Sequence, residues 1–240
     1  LFITNAIMDF YENSNYNYLK FINEIESLSC ESLDIRDYSG NNLCKIEDIL
    51  TNTKYSCLKS INVYIKYSPS VDDNKYYKLC KTNYRIKYLY VHASPYNKEV
   101  SDNEFYYNKV IYTVNKILNH DDCGIIDSAY FSTNIKMFTE AQHFNTCLNR
   151  KISIDVDGNI KNCPSMERSF GNINDSSLKD VLEIPSFKNL WKIKKDEIEV
   201  CKDCEFRYMC ADCRVFIKDK NNLYSKPSKC NYDPYTATWI

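Results

Sequence analysis

A chain of 240 residues can bury a core without covalent staples, and its 31 basic against 32 acidic residues leave a formal net charge of -1. That balance excludes a global field able to hold nucleic acid or an anionic membrane, so any binding must come from a local site. The glycines, Gly40, Gly124, Gly158 and Gly171, are too scattered to build a P-loop or a dinucleotide-binding turn, and the apolar runs fall short of the roughly 18 to 20 residues that cross a bilayer.

The N-terminus has no basic segment, apolar core and cleavage motif, which makes a cytoplasmic location the default expectation. The chain opens on Leu1 instead of Met, and the expectation is that either the native start was removed or an upstream segment is missing. Apolar positions Ile7, Phe10, Tyr11, Tyr18, Phe21, Ile22 and Ile25 then recur at helical spacing and predict an amphipathic helix over residues 1–26, broken near Asn13 to Asn17.

Next the pattern alternates. A strand is expected at 32–38 ("SLDIRDY"), a helix at 42–51, a strand at 60–68, a helix at 72–83 and a strand at 86–94. Further strands are expected at 110–118 and 125–134. Strand and helix in turn, at lengths that suit crossover connections, predict a parallel α/β layer with room for part of a barrel. The stretches "VYIKY" and "YLYVH" are candidates for an exposed strand edge that an extended peptide could join.

The character changes after about residue 142. "RKISIDVDGNIKNC" (150–163) predicts a hairpin through a two-residue Asp157-Gly158 turn. A short helix follows at 175–182, with Ser177 and Asp180 at capping-box spacing, and Pro185 suits the first turn of the next. "KIKKDE" (192–197) reads as a solvated helix face. From Cys201 onward the chain is loop-rich and poor in apolar content, so it needs a staple to fold. "DVDGN" is a turn and not a calcium loop, because Ile160 stands where that loop needs glycine and Met166 where it needs a bidentate Glu.

The staple is in the cysteines. Seven of the 12 fall in this last third: Cys147, Cys163, Cys201, Cys204, Cys210, Cys213 and Cys230. In a reducing compartment clustered thiols read as metal ligands before disulfides. The hairpin delivers Cys163 and Cys147 to the same end, and a two-residue spacing lets both thiolates of a pair reach one metal or cluster. A zinc ribbon separates its knuckles by roughly 15 to 20 residues, whereas five lie between Cys204 and Cys210. Seven thiolates exceed one zinc and fall one short of two four-cysteine sites, which favours two clusters, one with an incomplete or mixed shell. Neither Cys-x2-Cys pair opens a helix after a strand, as a thioredoxin-like couple would. Cys30, Cys44, Cys57, Cys80 and Cys123 are irregularly spaced and read as buried small hydrophobes without a role.

The pattern Cys147-x10-Gly158-x4-Cys163, then Cys201-x2-Cys204-x5-Cys210-x2-Cys213, then Cys230, resembles the SPASM domain of radical S-adenosylmethionine (SAM) peptide maturases. It departs from the family in having two residues, where three are usual, between Cys210 and Cys213. "RKISIDVDGNIKNCPS", "FGNI", "CEFRYMCADCR" and "KCNYDPYTATW" are most similar to SPASM proteins of grasp-with-spasm systems. The resemblance covers residues 143–240 strongly and the α/β part in outline.

It implies an α/β fold: a partial (β/α) barrel of radical-SAM type over 1–142, followed by a small cysteine-rich SPASM domain over 143–240. It also implies two auxiliary 4Fe-4S clusters. Cys147, Cys163 and Cys213 would hold the first, whose fourth position is either open or filled by a neighbour such as His143, and Cys201, Cys204, Cys210 and Cys230 would hold the second. Arg207 and Tyr208 would lie over the cluster or pack as ordinary neighbours. The radical chemistry of that superfamily needs a Cys-x3-Cys-x2-Cys loop, and this sequence has none, so the chain as given is not expected to cleave SAM and names no catalytic residue. The implied role is in ribosomal-peptide (RiPP) maturation, binding a precursor peptide beside an ATP-grasp ligase, with neither nucleic acid nor membrane as partner. The alternatives are a radical enzyme whose Cys-x3-Cys-x2-Cys segment is missing from this chain, and an interaction module stabilised by zinc.

Overall fold

The computed structural model describes residues 2–101 and 109–239. It divides into two compact units, Leu1–His120 with Lys151–Glu183 and Asp121–Arg150 with Ile184–Ile240. The units are discontinuous in sequence, because the hairpin after residue 150 returns to pair with the first strand.

The first unit is built on one sheet of eight strands: β1 (Asn5–Phe10), β2 (Ser32–Asp37), β3 (Ser60–Lys66), β4 (Ile86–His92), β5 (Lys98–Ser101), β6 (Lys109–Tyr112), β7 (Lys151–Ile154) and β8 (Ile160–Lys161). Their order is β5-β6-β4-β3-β2-β1-β7-β8. β1 to β4, β6 and β7 run parallel, while β5 and β8 join antiparallel at the two ends of that order. Helices α1 (Tyr18–Ser27), α2 (Leu43–Asn52) and α3 (Asp73–Thr82) occupy the connections between β1 and β4.

In β2, Leu33, Ile35 and Asp37 are buried while Ser32, Asp34 and Arg36 are half-buried, the period-2 signature of a strand covered more on one face. The helices supply matching apolar stripes: Phe21, Ile22 and Ile25 from α1, Ile46, Ile49 and Leu50 from α2, Tyr76 and Leu79 from α3.

Four expectations are corrected. Residues 5–10 form a strand, not the start of a helix. β1 lies between β2 and β7 and is buried at every position after Asn5, so it lacks the alternation that marks a strand. Helix α1 starts only at Tyr18, where the Asn17 side chain caps it by accepting from Lys20 N at 2.9 Å. "VYIKY" and "YLYVH" lie in β3 and β4, which are paired on both sides and offer no edge. The strand expected at 110–118 ends at Tyr112, and 125–134 is not a strand: Ile126 makes an isolated bridge to Cys230, and Ile125 and Tyr130 are exposed, with no sheet to bury them.

The β7–β8 hairpin is present, with a three-residue loop instead of two. Asp155 N donates to Asn159 O at 3.1 Å, Gly158 N donates to Asp155 O at 3.0 Å, and Gly158 takes φ +81°. The Asp155 carboxylate closes the loop by accepting from Asp157 N at 3.0 Å and Asn159 N at 2.9 Å. After it, α5 (Leu178–Glu183) is capped as expected, Ser177 Oγ accepting from Asp180 N at 3.1 Å.

The second unit has little regular structure. α4 (Ile135–Ala141), three-residue-per-turn helices at Pro185–Lys192, Lys195–Glu197 and Cys201–Asp203, and the small β9 (Tyr232–Asp233) and β10 (Thr238–Trp239) hairpin make up most of it. Pro185 does occupy the first turn of its helix. Ile193, Ile198 and Cys201 form a small buried cluster with Leu190 against it.

Candidate metal centre

The second unit gathers its thiols through tight turns. Val200 sits at φ +65°, a conformation rare for a β-branched residue, and turns the chain into the helical turn at Cys201. Cys204 N donates to Cys201 O at 3.1 Å, and Arg207 N donates in turn to Cys204 O at 3.2 Å. Cys210 N then closes on Phe206 O at 3.0 Å. The outcome is that Cys201, Cys204, Cys210 and Cys230 line one pocket, together with Lys195, Arg207 and an aromatic wall. That wall runs from Phe131 to Phe206, Tyr232 and Trp239 with ring centroids 4.9 to 5.1 Å apart. The Tyr232 hydroxyl is anchored on the Glu205 carboxylate.

All of these thiols are free; Cys201 and Cys210 are buried, Cys204 and Cys230 half-buried. Burial pushes the Cys210 thiol up to about 11 against the pull of the Lys195 ammonium, and it raises Cys201 and Cys204 as well. Without a metal, burial favours the protonated thiols of Cys201, Cys204 and Cys210, and binding as thiolates must release those protons.

Lys195 is the residue that sequence reasoning misplaced. Within "KIKKDE", read as a solvated face, it is 3% exposed, and its ammonium lies 3.6 Å from Cys210 Sγ, 3.9 Å from Cys201 Sγ and 3.7 Å from Asp212 Oδ1. Burial, the largest influence on Lys195, pushes its pKa down, but Asp212 and the two sulfurs together hold it above the ordinary lysine range. Asp212 is itself fully buried, accepting from Asn145 Nδ2 at 2.7 Å and Arg214 Nε at 2.9 Å.

The same network reaches Cys147, whose backbone N donates to Asn145 Oδ1 at 3.0 Å. Cys213 is raised first by burial and then by the neighbouring thiols of Cys147 and Cys123. Cys123, given no role in the sequence, is thus a neighbour of Cys213, and a Cβ on Gly124 would stand 3.2 Å from Cys213 Sγ. Cys163 belongs to the first unit, buried just after β8. His143 is exposed at the end of α4, its backbone N donating to Glu140 O at 3.0 Å. Arg207 lines the pocket, whereas the Tyr208 hydroxyl turns to Asp196 at 2.8 Å. Of the thiols read as buried fillers, Cys30 and Cys80 are buried, while Cys44, Cys57 and Cys123 are exposed. Cys44 occupies an outer position of α2 and Cys57 the turn before β3, where no apolar layer covers them.

Four sulfurs around one pocket with an aromatic side suit a thiolate-held cluster. Among the described residues no three His, Cys, Asp or Glu side chains are gathered to hold one ion.

Residues 146–205 match SPASM, an iron-sulfur cluster-binding domain. The match implies iron-sulfur cluster binding by that segment of the chain. It includes Cys147, Cys163, Cys201 and Cys204 and stops short of Cys210, Cys213 and Cys230. No curated protein and no solved structure matches the chain. No helix among the described residues is long and apolar enough to cross a membrane.

Proposed function

We propose that this chain is the SPASM component of a ribosomal-peptide maturation system of grasp-with-spasm type, holding two 4Fe-4S clusters and binding a precursor peptide beside an ATP-grasp ligase in the cytoplasm. The observation that carries the cluster reading is the convergence of Cys201, Cys204, Cys210 and Cys230 on one pocket in a unit with little other regular structure. These four hold the second cluster; Cys147, Cys163 and Cys213 hold the first. The sheet of the first unit stands in this reading for the barrel half of a radical-SAM relative.

When bound, a cluster supplies strong iron-thiolate bonds and an electron-accepting centre. The residues of the chain do the rest. The turns at Cys201–Cys204 and Phe206–Cys210 aim the sulfurs, and Phe131, Phe206, Tyr232 and Trp239 keep water from one side. Lys195 and Arg214 offset the buried negative charge. This reading assigns the chain no cleavage of SAM, since the Cys-x3-Cys-x2-Cys spacing is not in its sequence.

The test is iron, sulfide and zinc content of protein prepared without oxygen, followed by reaction of the loaded protein with a candidate precursor, an ATP-grasp ligase and ATP. About eight irons and eight sulfides per chain are expected for two cubane clusters. Zinc without sulfide would sink the cluster assignment. Peptide product masses that are the same with and without this chain would sink the maturation role.

A further inference from the structure

We propose that Lys195 donates hydrogen bonds from its ammonium to the thiolates of Cys201 and Cys210 and thereby raises the reduction potential of the second cluster. The proposal rests on the reading that these cysteines hold an iron-sulfur cluster.

The argument is one of charge and position. An ammonium is costly to bury unless it is paired and hydrogen-bonded, and Lys195 is 3% exposed. Its only carboxylate partner, among the ion pairs of the described residues, is Asp212 at 3.7 Å. That carboxylate is already engaged: Arg214 places Nε at 2.9 Å and Nη2 at 2.6 Å from Oδ1, and Asn145 Nδ2 occupies Oδ2 at 2.7 Å. Two buried cations thus share one buried carboxylate and leave one positive charge over. The nearest sulfurs to receive it are Cys210 Sγ at 3.6 Å and Cys201 Sγ at 3.9 Å, within the range of hydrogen bonds to sulfur. Arg207, the other cation lining the pocket, is committed to Asp196 at 3.2 Å and to Cys204 O at 3.0 Å.

A cluster gains one negative charge on reduction. A fixed cation and N–H donors at its sulfurs stabilise the reduced form more than the oxidised form, so the potential rises. Lys195 comes from a different turn than either cysteine, which lets it bridge two ligands that the local spacing alone would leave unconnected.

The experiment compares wild-type protein with Lys195→Met and Lys195→Gln, all prepared without oxygen, by iron and sulfide content and by redox titration followed with electron paramagnetic resonance. The expected result is full iron in all three, one cluster shifted to lower potential in Lys195→Met, a smaller shift in Lys195→Gln, and the other cluster unmoved. Full iron with both potentials unchanged in Lys195→Met overturns the proposal. Wild-type protein labelled with 15N-lysine needs no variant: a weak 15N coupling on one reduced cluster is expected, and its absence also overturns the proposal. Wild-type protein that takes up no iron and sulfide would instead overturn the cluster reading itself.

Discussion

Arg214 sets Nε and Nη2 against a single oxygen of Asp212, at 2.9 and 2.6 Å, where both side chains are almost wholly out of solvent. Removing the carboxylate strands Arg214 and Lys195 together as buried cations. Asp212→Ala is therefore expected to lower the stability of the metal-free protein by about 3 to 5 kcal/mol, read as a shift of the urea midpoint. A loss below about 1 kcal/mol would mean that water reaches this pair.

Thiol reactivity should sort by burial. Cys30 and Cys80 are pushed up to about 12 by burial, which leaves roughly three-thousandfold less thiolate than a free cysteine at about 8.5. In native metal-free protein a maleimide is expected to label the exposed Cys44, Cys57 and Cys123 first, and Cys30 and Cys80 only on unfolding. Peptide mass spectrometry over a time course gives the order.

Acid should loosen the β7–β8 hairpin. Burial works to raise the Asp155 pKa, but the bonds from Lys161 and Asn159 outweigh it and hold the carboxyl below its usual range. A carboxyl lowered on folding stabilises the protein above its unfolded pKa of about 3.9, and that contribution disappears as the pH falls through the lower folded value. Urea midpoints of wild type and Asp155→Asn between pH 7 and pH 2 are expected to converge at the acid end. Parallel curves would show that Asp155 has no share in the acid response.

Gly158→Ala meets two obstacles. The position has φ +81°, and the new Cβ would stand 2.6 Å from Tyr16 Cβ. Tyr16 cannot easily retreat, since its hydroxyl donates to Asp9 O at 2.7 Å and its ring stacks on Phe10 at 5.3 Å. A loss of at least about 1 to 3 kcal/mol is expected, measured by chemical denaturation, and an unchanged midpoint would mean the loop relaxes freely.

The sequence was most readable where burial is one-sided. Leu33 and Ile35 alternating with Ser32, Asp34 and Arg36 announce β2, and the stripe Ile46, Ile49, Leu50 announces α2. β1 was hidden because it lies between two strands and is buried without a break from Ala6 to Phe10. Cysteine spacing pointed to the pocket because a Cys-x2-Cys turn is a local device. Lys195 could not be found that way: what buries a lysine is its partners, and Asp212 and Arg214 lie in a later stretch of chain. Cys123 was passed over for the same reason, since its neighbour Cys213 is distant in sequence.

β1 takes its second neighbour from far downstream, Asn5 standing opposite Lys151. A ribosome adding about 5 to 20 residues per second leaves that side of β1 without a partner for on the order of ten seconds. During that interval Ala6, Ile7, Met8 and Phe10, all buried in the finished protein, sit on a strand with one row of backbone groups unmatched. The nascent chain thus passes through a stage in which a strand buried in the folded protein can be captured by another copy. How fast protein is made, and what shields it meanwhile, will govern how much of it reaches the folded state.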